Sequence, residues 1–138
     1  MTPLASGHPS EELRMNWSPE TLAKPDTSTL EEIFDLKDEG DKEVLRELYQ
    51  QLLEDGPLHV GELVHAMQKG ELDEVDRISH RLKSSFGNLG FVAASALCNE
   101  IMRSARAGEL DEAEEFVQHL EEAGEALVRG IATFLTTL

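Results

Sequence analysis

Cysteine, aromatic side chains and positive charge are all scarce in this chain, and long apolar runs are missing. The single cysteine, Cys98, excludes an intramolecular disulfide. Its apolar neighbours mark it as a small packing residue, and a reducing, cytoplasmic setting is expected. No stretch approaches the roughly 20 apolar residues of a membrane span, and no apolar signal-peptide core stands at the N-terminus. Twelve Lys and Arg face 28 Asp and Glu, for a formal net charge of −16. Nucleic acid or an anionic membrane calls for the opposite sign, so neither is expected as a partner. A Gly-Lys-Ser/Thr phosphate loop, a CxxC pair and a nucleophile motif are absent too. Val and Ile are few beside Leu and Ala. Unbranched side chains lose little rotamer freedom in a helix, so an all-α protein is expected.

The 138 residues suffice for one domain. Residues 1–27 read as an N-terminal extension, interrupted by Pro3, Pro9, Pro19 and Pro25. Ser10 is placed to cap a turn at Glu11–Met15, and Ser18 with Pro19 at the first helical position to start another. Two readings stay open for this extension, a mobile one and one docked through Leu13, Met15, Trp17 and Leu22. Residues 28–138 read as the bundle. A short helix is expected over Leu30–Leu36, capped from Thr27-Ser28-Thr29, with Ile33 and Phe34 on its apolar side. Gly40-Asp41 should break it and cap the next. A long apolar period from Val44 to Met67 runs through Pro57, which predicts a kinked helix over about 42–69.

Gly-Glu-Leu-Asp-Glu occurs twice, at Gly70 and at Gly108. In each copy glycine suits the left-handed end of one helix, and the acids suit the positive start of the next. Helices are therefore expected over about 72–88, from Phe91 to about Ala105, and over about 110–136. Four long amphipathic helices on short loops imply an up-down antiparallel four-helix bundle, with a short additional N-terminal helix.

The stretch His80 to Gly90 stands apart. At about 100° per residue, Val75, Ile78, Leu82, Phe86 and Leu89 share one apolar arc, and His80 lies nearly opposite it. Lys83, Ser84 and Gly87 follow at i+3, i+4 and i+7, on the polar face with His80. Residues 77–106 also hold Arg77, Arg81, Lys83, Arg103 and Arg106 against the one carboxylate of Glu100. A basic island in an acidic protein suggests an anionic partner there. Histidine is the side chain that titrates near neutrality, so an exposed imidazole offers a nucleophilic nitrogen at pH 7. Lys83 stands where its ammonium meets a group bonded to that nitrogen. Against a phosphoryl group the contact is worth roughly 1 kcal/mol in water and about 4 kcal/mol where a partner excludes solvent. A solvated face that happens to contain a histidine explains the same spacing.

The other histidines read as packing or surface residues: His8 in the extension, His59 and His65 six residues apart, and His119 beside Phe116 and Leu120. Glu62-Leu-Val-His65 matches a di-metal bundle motif once, where such sites need two copies, so no metal is expected.

His80, Leu82, Lys83, Ser85, Asn88, Leu89 and Gly90 resemble the signature of histidine-containing phosphotransfer (HPt) domains of the stand-alone bacterial type. Gly40 to Tyr49, Glu54-Asp-Gly-Pro57 and the two Gly-Glu-Leu-Asp loops extend the resemblance over about residues 28–136. It implies a phosphorelay protein rather than an enzyme with kinase activity. His80 would accept a phosphoryl group from a receiver-domain aspartate and pass it to another receiver. Lys83 would neutralise its charge, and Arg77, Arg81, Ser84, Gly87 and Asn88 would meet the partner. It implies response-regulator receiver domains and a hybrid histidine kinase as partners, a monomer, and no cofactor beyond the Mg²⁺ that the receiver supplies. The family places glycine directly after the lysine, where this chain has Ser84. A non-catalytic helical module that docks receivers or another signalling partner is the alternative.

Overall fold

Helix termini in this chain are set by local chemistry that repeats. The computed structural model describes residues 17–138, and all regular structure within them is helical: α1 (Pro19–Leu22), α2 (Thr27–Glu31), α3 (Glu39–Gln68), α4 (Leu72–Asn88), α5 (Val92–Arg106), α6 (Leu110–Glu122) and α7 (Gly124–Thr137). Gly70, Gly90 and Gly108 close α3, α4 and α5 with φ of 70°, 88° and 74°. After each, an amide reaches back five residues: Glu71 to the Ala66 carbonyl, Phe91 to Phe86 and Glu109 to Ser104, at 2.9–3.0 Å. A left-handed residue is needed to turn the chain so sharply, and only glycine takes it without steric cost.

Both starts followed by acids come out as expected, α4 at Leu72 and α6 at Leu110. Three expectations are corrected. The short helix is capped by Asp26, whose carboxylate accepts from the Ser28 amide at 3.0 Å, so it starts and stops earlier than Leu30–Leu36. Ile33 then lies beyond it and is 65% exposed. Asp38, not Gly40-Asp41, caps α3: its carboxylate accepts from the Asp41 amide at 2.9 Å. The helix expected over 110–136 divides at Ala123, where Gly124, the weakest helix former short of proline, begins α7. The helix expected to continue through Pro57 does so, as one helix of 30 residues. The turn expected at Glu11–Met15, with Leu13 and Met15 as anchors, lies outside the described residues, as does His8.

One core joins the helices. α3 packs on α4, α6 and α7, α4 most extensively on α5, and α5 on α6, while α1 lies over α7 and α5. The arc read from the sequence, Val75, Ile78, Leu82, Phe86 and Leu89, is buried throughout. Trp17 is buried as well, edge-on to Phe116 with ring centroids 5.1 Å apart. Ser18 caps α1, accepting from the Thr21 amide at 3.3 Å. Burial raises the thiol pKa of Cys98 well above its ordinary value, so it is a packing atom and not a nucleophile. Among the described residues no helix is long and apolar enough to cross a membrane.

Candidate functional site

With one face of α4 in the core, the opposite face must meet solvent. His80, Arg77, Arg81, Ser84 and Asn88 are exposed, and Lys83, Ser85 and Gly87 are half-buried. Among the described residues no hydrogen bond or ion pair holds the imidazole of His80 or the ammonium of Lys83. An imidazole so placed keeps both ring nitrogens available to another molecule.

The C-terminal end of the helix that presents His80 is held firmly. The Tyr49 hydroxyl, on α3, donates to the carbonyl of Leu89 within the core, and burial pushes its pKa up. The Asp26 amide donates to the carbonyl of Gly90 at 2.7 Å. A Cβ on Gly90 would stand 3.0 Å from the Asp26 carbonyl oxygen and 3.2 Å from Leu30 Cγ. The α4–α5 turn is thus tied to α3 and to the segment leading into α2. A helix pinned at its end holds its side chains in register.

The two flanks of His80 differ. On one side α5 comes close: Ser95 donates from its hydroxyl to the carbonyl of Lys83 at 2.9 Å. A Cβ on Gly87 would lie 3.0 Å from Ser95 Oγ. Gly87 therefore admits α5 on that side while staying half-buried. On the other side, α3 and α4 bound a groove of about 350 Å³ whose polar lining includes Gln51, Asp55, His59, Arg81, Ser85 and Asn88. The exposed Leu48 adds an apolar edge to it.

The basic island proves narrower than the charge count suggests. Arg77 pairs with Glu74 through two hydrogen bonds of 3.0 and 2.8 Å. Arg103 pairs with Glu100, and Arg106 reaches Asp76 on α4 at 3.0 Å. Arg81 and Lys83 make no ion pair within 4 Å among the described residues. Arg81 does act at longer range. The carboxyl of Glu62 sits below its usual range, chiefly because it accepts a hydrogen bond from His59, and the positive charges of His59, Arg81 and Arg77 add to this. His59 Nδ1 and Glu62 Oε1 are 2.8 Å apart, a contact that the sequence reading of the histidines missed. Glu62 therefore turns to His59 rather than pairing with His65 as a metal motif would have it. Among the described residues no group of three or more His, Cys, Asp or Glu is placed to hold a metal ion. His65 is exposed, and His119 packs as expected, its ring 5.8 Å from that of Trp17.

The arrangement is an uncommitted imidazole on a rigid helix, a lysine one turn on, an unpaired guanidinium beside it and an open groove. It suits a nucleophile that receives an anionic group from a partner large enough to cover the face. A family model described as Hpt domain matches residues 47–130, which takes in most of α3, all of α4 to α6 and the first half of α7. No curated protein and no solved structure matches the chain.

Proposed function

On the premise that the chain belongs to the Hpt domain family, we propose that His80 carries the phosphoryl group. Hpt domains are phosphocarrier modules of phosphorelays, not kinases, and they work with response-regulator receiver domains and kinases. The observation that carries the assignment to His80 is its exposure, without any partner, on the open face of α4 one turn before Lys83. The bundle is read as four helices in up-down antiparallel order, α3, α4, α5 and the pair α6–α7, with α1 and α2 as additions before them.

The transfer balances with these groups alone. The lone pair of the exposed ring nitrogen attacks the phosphorus of an aspartyl phosphate on the receiver. The bond from phosphorus to the carboxyl oxygen breaks, and the carboxylate leaves with the electron pair. The other ring nitrogen keeps its proton. Onward transfer is the reverse, with a second receiver's carboxylate attacking phosphorus and the P–N bond breaking. Mg²⁺ and the acidic residues that bind it belong to the receiver. Lys83 neutralises the phosphoryl oxygens, and Arg81 with Asn88 and Ser85 lines the groove that the receiver overhangs. One copy of the chain suffices for this.

Incubation with a phosphorylated receiver should yield acid-labile, base-stable phosphate on the protein. Lys83→Ala should still take phosphate, at a rate lower by roughly fivefold or more, since one charge contact of about 1 to 4 kcal/mol is lost. Receiver binding with no phosphate ever found on the wild type would instead favour the non-catalytic module. A rate unchanged in Lys83→Ala would remove Lys83 from the site.

A further inference from the structure

A hydroxyl one turn beyond a phosphoryl-bearing imidazole has a choice of partners. In a helix, a serine hydroxyl either turns back to the carbonyl four residues earlier or points out to solvent. Ser79 does the first, donating to the Val75 carbonyl at 2.6 Å. Ser95 and Ser104 are also committed, to the Lys83 carbonyl at 2.9 Å and to Glu112 at 2.7 Å. Ser84 is exposed, and among the described residues its hydroxyl has no hydrogen-bond partner. It does not take the carbonyl of His80.

The direction of the side chain matters here. Each Cα–Cβ bond of a helix tilts toward the N-terminus, so a residue covers the turn before its own Cα. For Ser84 that turn is the one bearing His80. The Cβ atoms of residues i and i+4 stand about 5–6 Å apart, a span that a phosphoryl group on the imidazole fills. Lys83 approaches the same place from i+3. Lys83 is a compact charge on a long flexible stem, whereas Ser84 is a short donor whose oxygen is placed by one rotatable bond.

We infer that Ser84 is a phosphoryl-positioning residue: its hydroxyl donates to a phosphoryl oxygen on His80 and lengthens the life of the phosphohistidine. This rests on His80 carrying the phosphate. The chemistry fixes the sign. Loss of phosphate to water passes through a loose, metaphosphate-like state. Metaphosphate bears one negative charge where the bound dianion bears two. A donor to the peripheral oxygens therefore holds the starting state more tightly than the transition state. A glycine at this position has no atom to offer, and an alanine fills the space without the donor.

The full-length chain, phosphorylated with phosphoramidate, tests this without a receiver. The imidazole nitrogen attacks phosphorus, the P–N bond of the donor breaks, and ammonia leaves. After removal of the donor, decay of the phosphohistidine is followed by phosphorus NMR at neutral pH. Ser84→Ala and Ser84→Gly should both decay faster than the wild type by about three- to tenfold, the yield of one hydrogen bond to a charged group at an exposed site. Ser84→Thr, which keeps the hydroxyl, should decay at close to the wild-type rate. Equal lifetimes in the wild type and Ser84→Ala would overturn the inference, as would a Ser84→Thr variant that decays as fast as Ser84→Ala. Failure of the wild type to take phosphate at all would overturn the assignment of His80 as well, so the two failures are distinguishable.

Discussion

His80→Gln is expected to abolish phosphate transfer from any receiver and to leave the fold untouched. The imidazole is exposed and bonded to no other group among the described residues, so its loss removes no packing and orphans no buried atom. Exposed substitutions of this kind change stability by about 0.5 kcal/mol or less. Glutamine retains a polar side chain of similar reach but has no nucleophilic nitrogen, so transfer should drop to background rather than by a modest factor. The comparison is a thermal melt beside a transfer assay with phosphorylated receiver. Two other histidines make the experiment discriminating. His59 has one ring nitrogen engaged by Glu62 at 2.8 Å, and His65 is exposed on α3. Transfer that survives in His80→Gln would move the phosphoryl site to one of them.

Gly130→Ala should give the largest loss of stability from the smallest change. Gly130 lies in α7 where α1 crosses it, and an added Cβ would overlap the backbone carbonyl oxygen of Ala23 and stand 3.2 Å from Ala23 Cβ. A carbonyl cannot rotate aside as a long side chain can, so α1 must lift. In an exposed helix the same change would gain about 0.5–1 kcal/mol. Here overpacking costs about 1–3 kcal/mol. Lifting α1 also begins to uncover Leu22 and the neighbouring Trp17, both buried, at about 1.5–3 kcal/mol for each large side chain fully exposed. The net expectation is a fall of about 2–4 kcal/mol, or roughly 5–15 °C in Tm for a chain of this size. Trp17 is the only tryptophan, so its emission should shift to the red and report release of the segment directly. His80 should still accept phosphate, because α4 is held independently through Tyr49. An unchanged melt with unchanged emission would contradict the docking of α1.

The sequence reads well where signals are local. The limits of α4 follow from a glycine turn before it and another after it, and its buried arc from a period that one helix displays by itself. The exposure of His80 follows from the same period. What the sequence hides depends on neighbours. Gly87 shares the side of His80 by angle, yet α5 closes over it, and no property of α4 alone reveals which flank a second helix takes. The basic island of residues 77–106 is flanked on its N-terminal side by Glu74 and Asp76. Those two carboxylates neutralise Arg77 and Arg106, and among the described residues Arg81 and Lys83 are left on this face without an ion pair. Gly130 gave no signal, since a glycine inside a helix reads as a weak point until the segment that crosses it is known. Asp26 was hidden by three good capping residues that directly follow it.

Peptide mapping of the phosphorylated wild-type chain, kept at alkaline pH after transfer from a receiver, tests the central claim most directly. The phosphate should lie on the peptide that contains His80, on an imidazole nitrogen, and should be lost on brief acidification. Phosphate on Ser84 or on another histidine, or phosphate stable to acid, would contradict it.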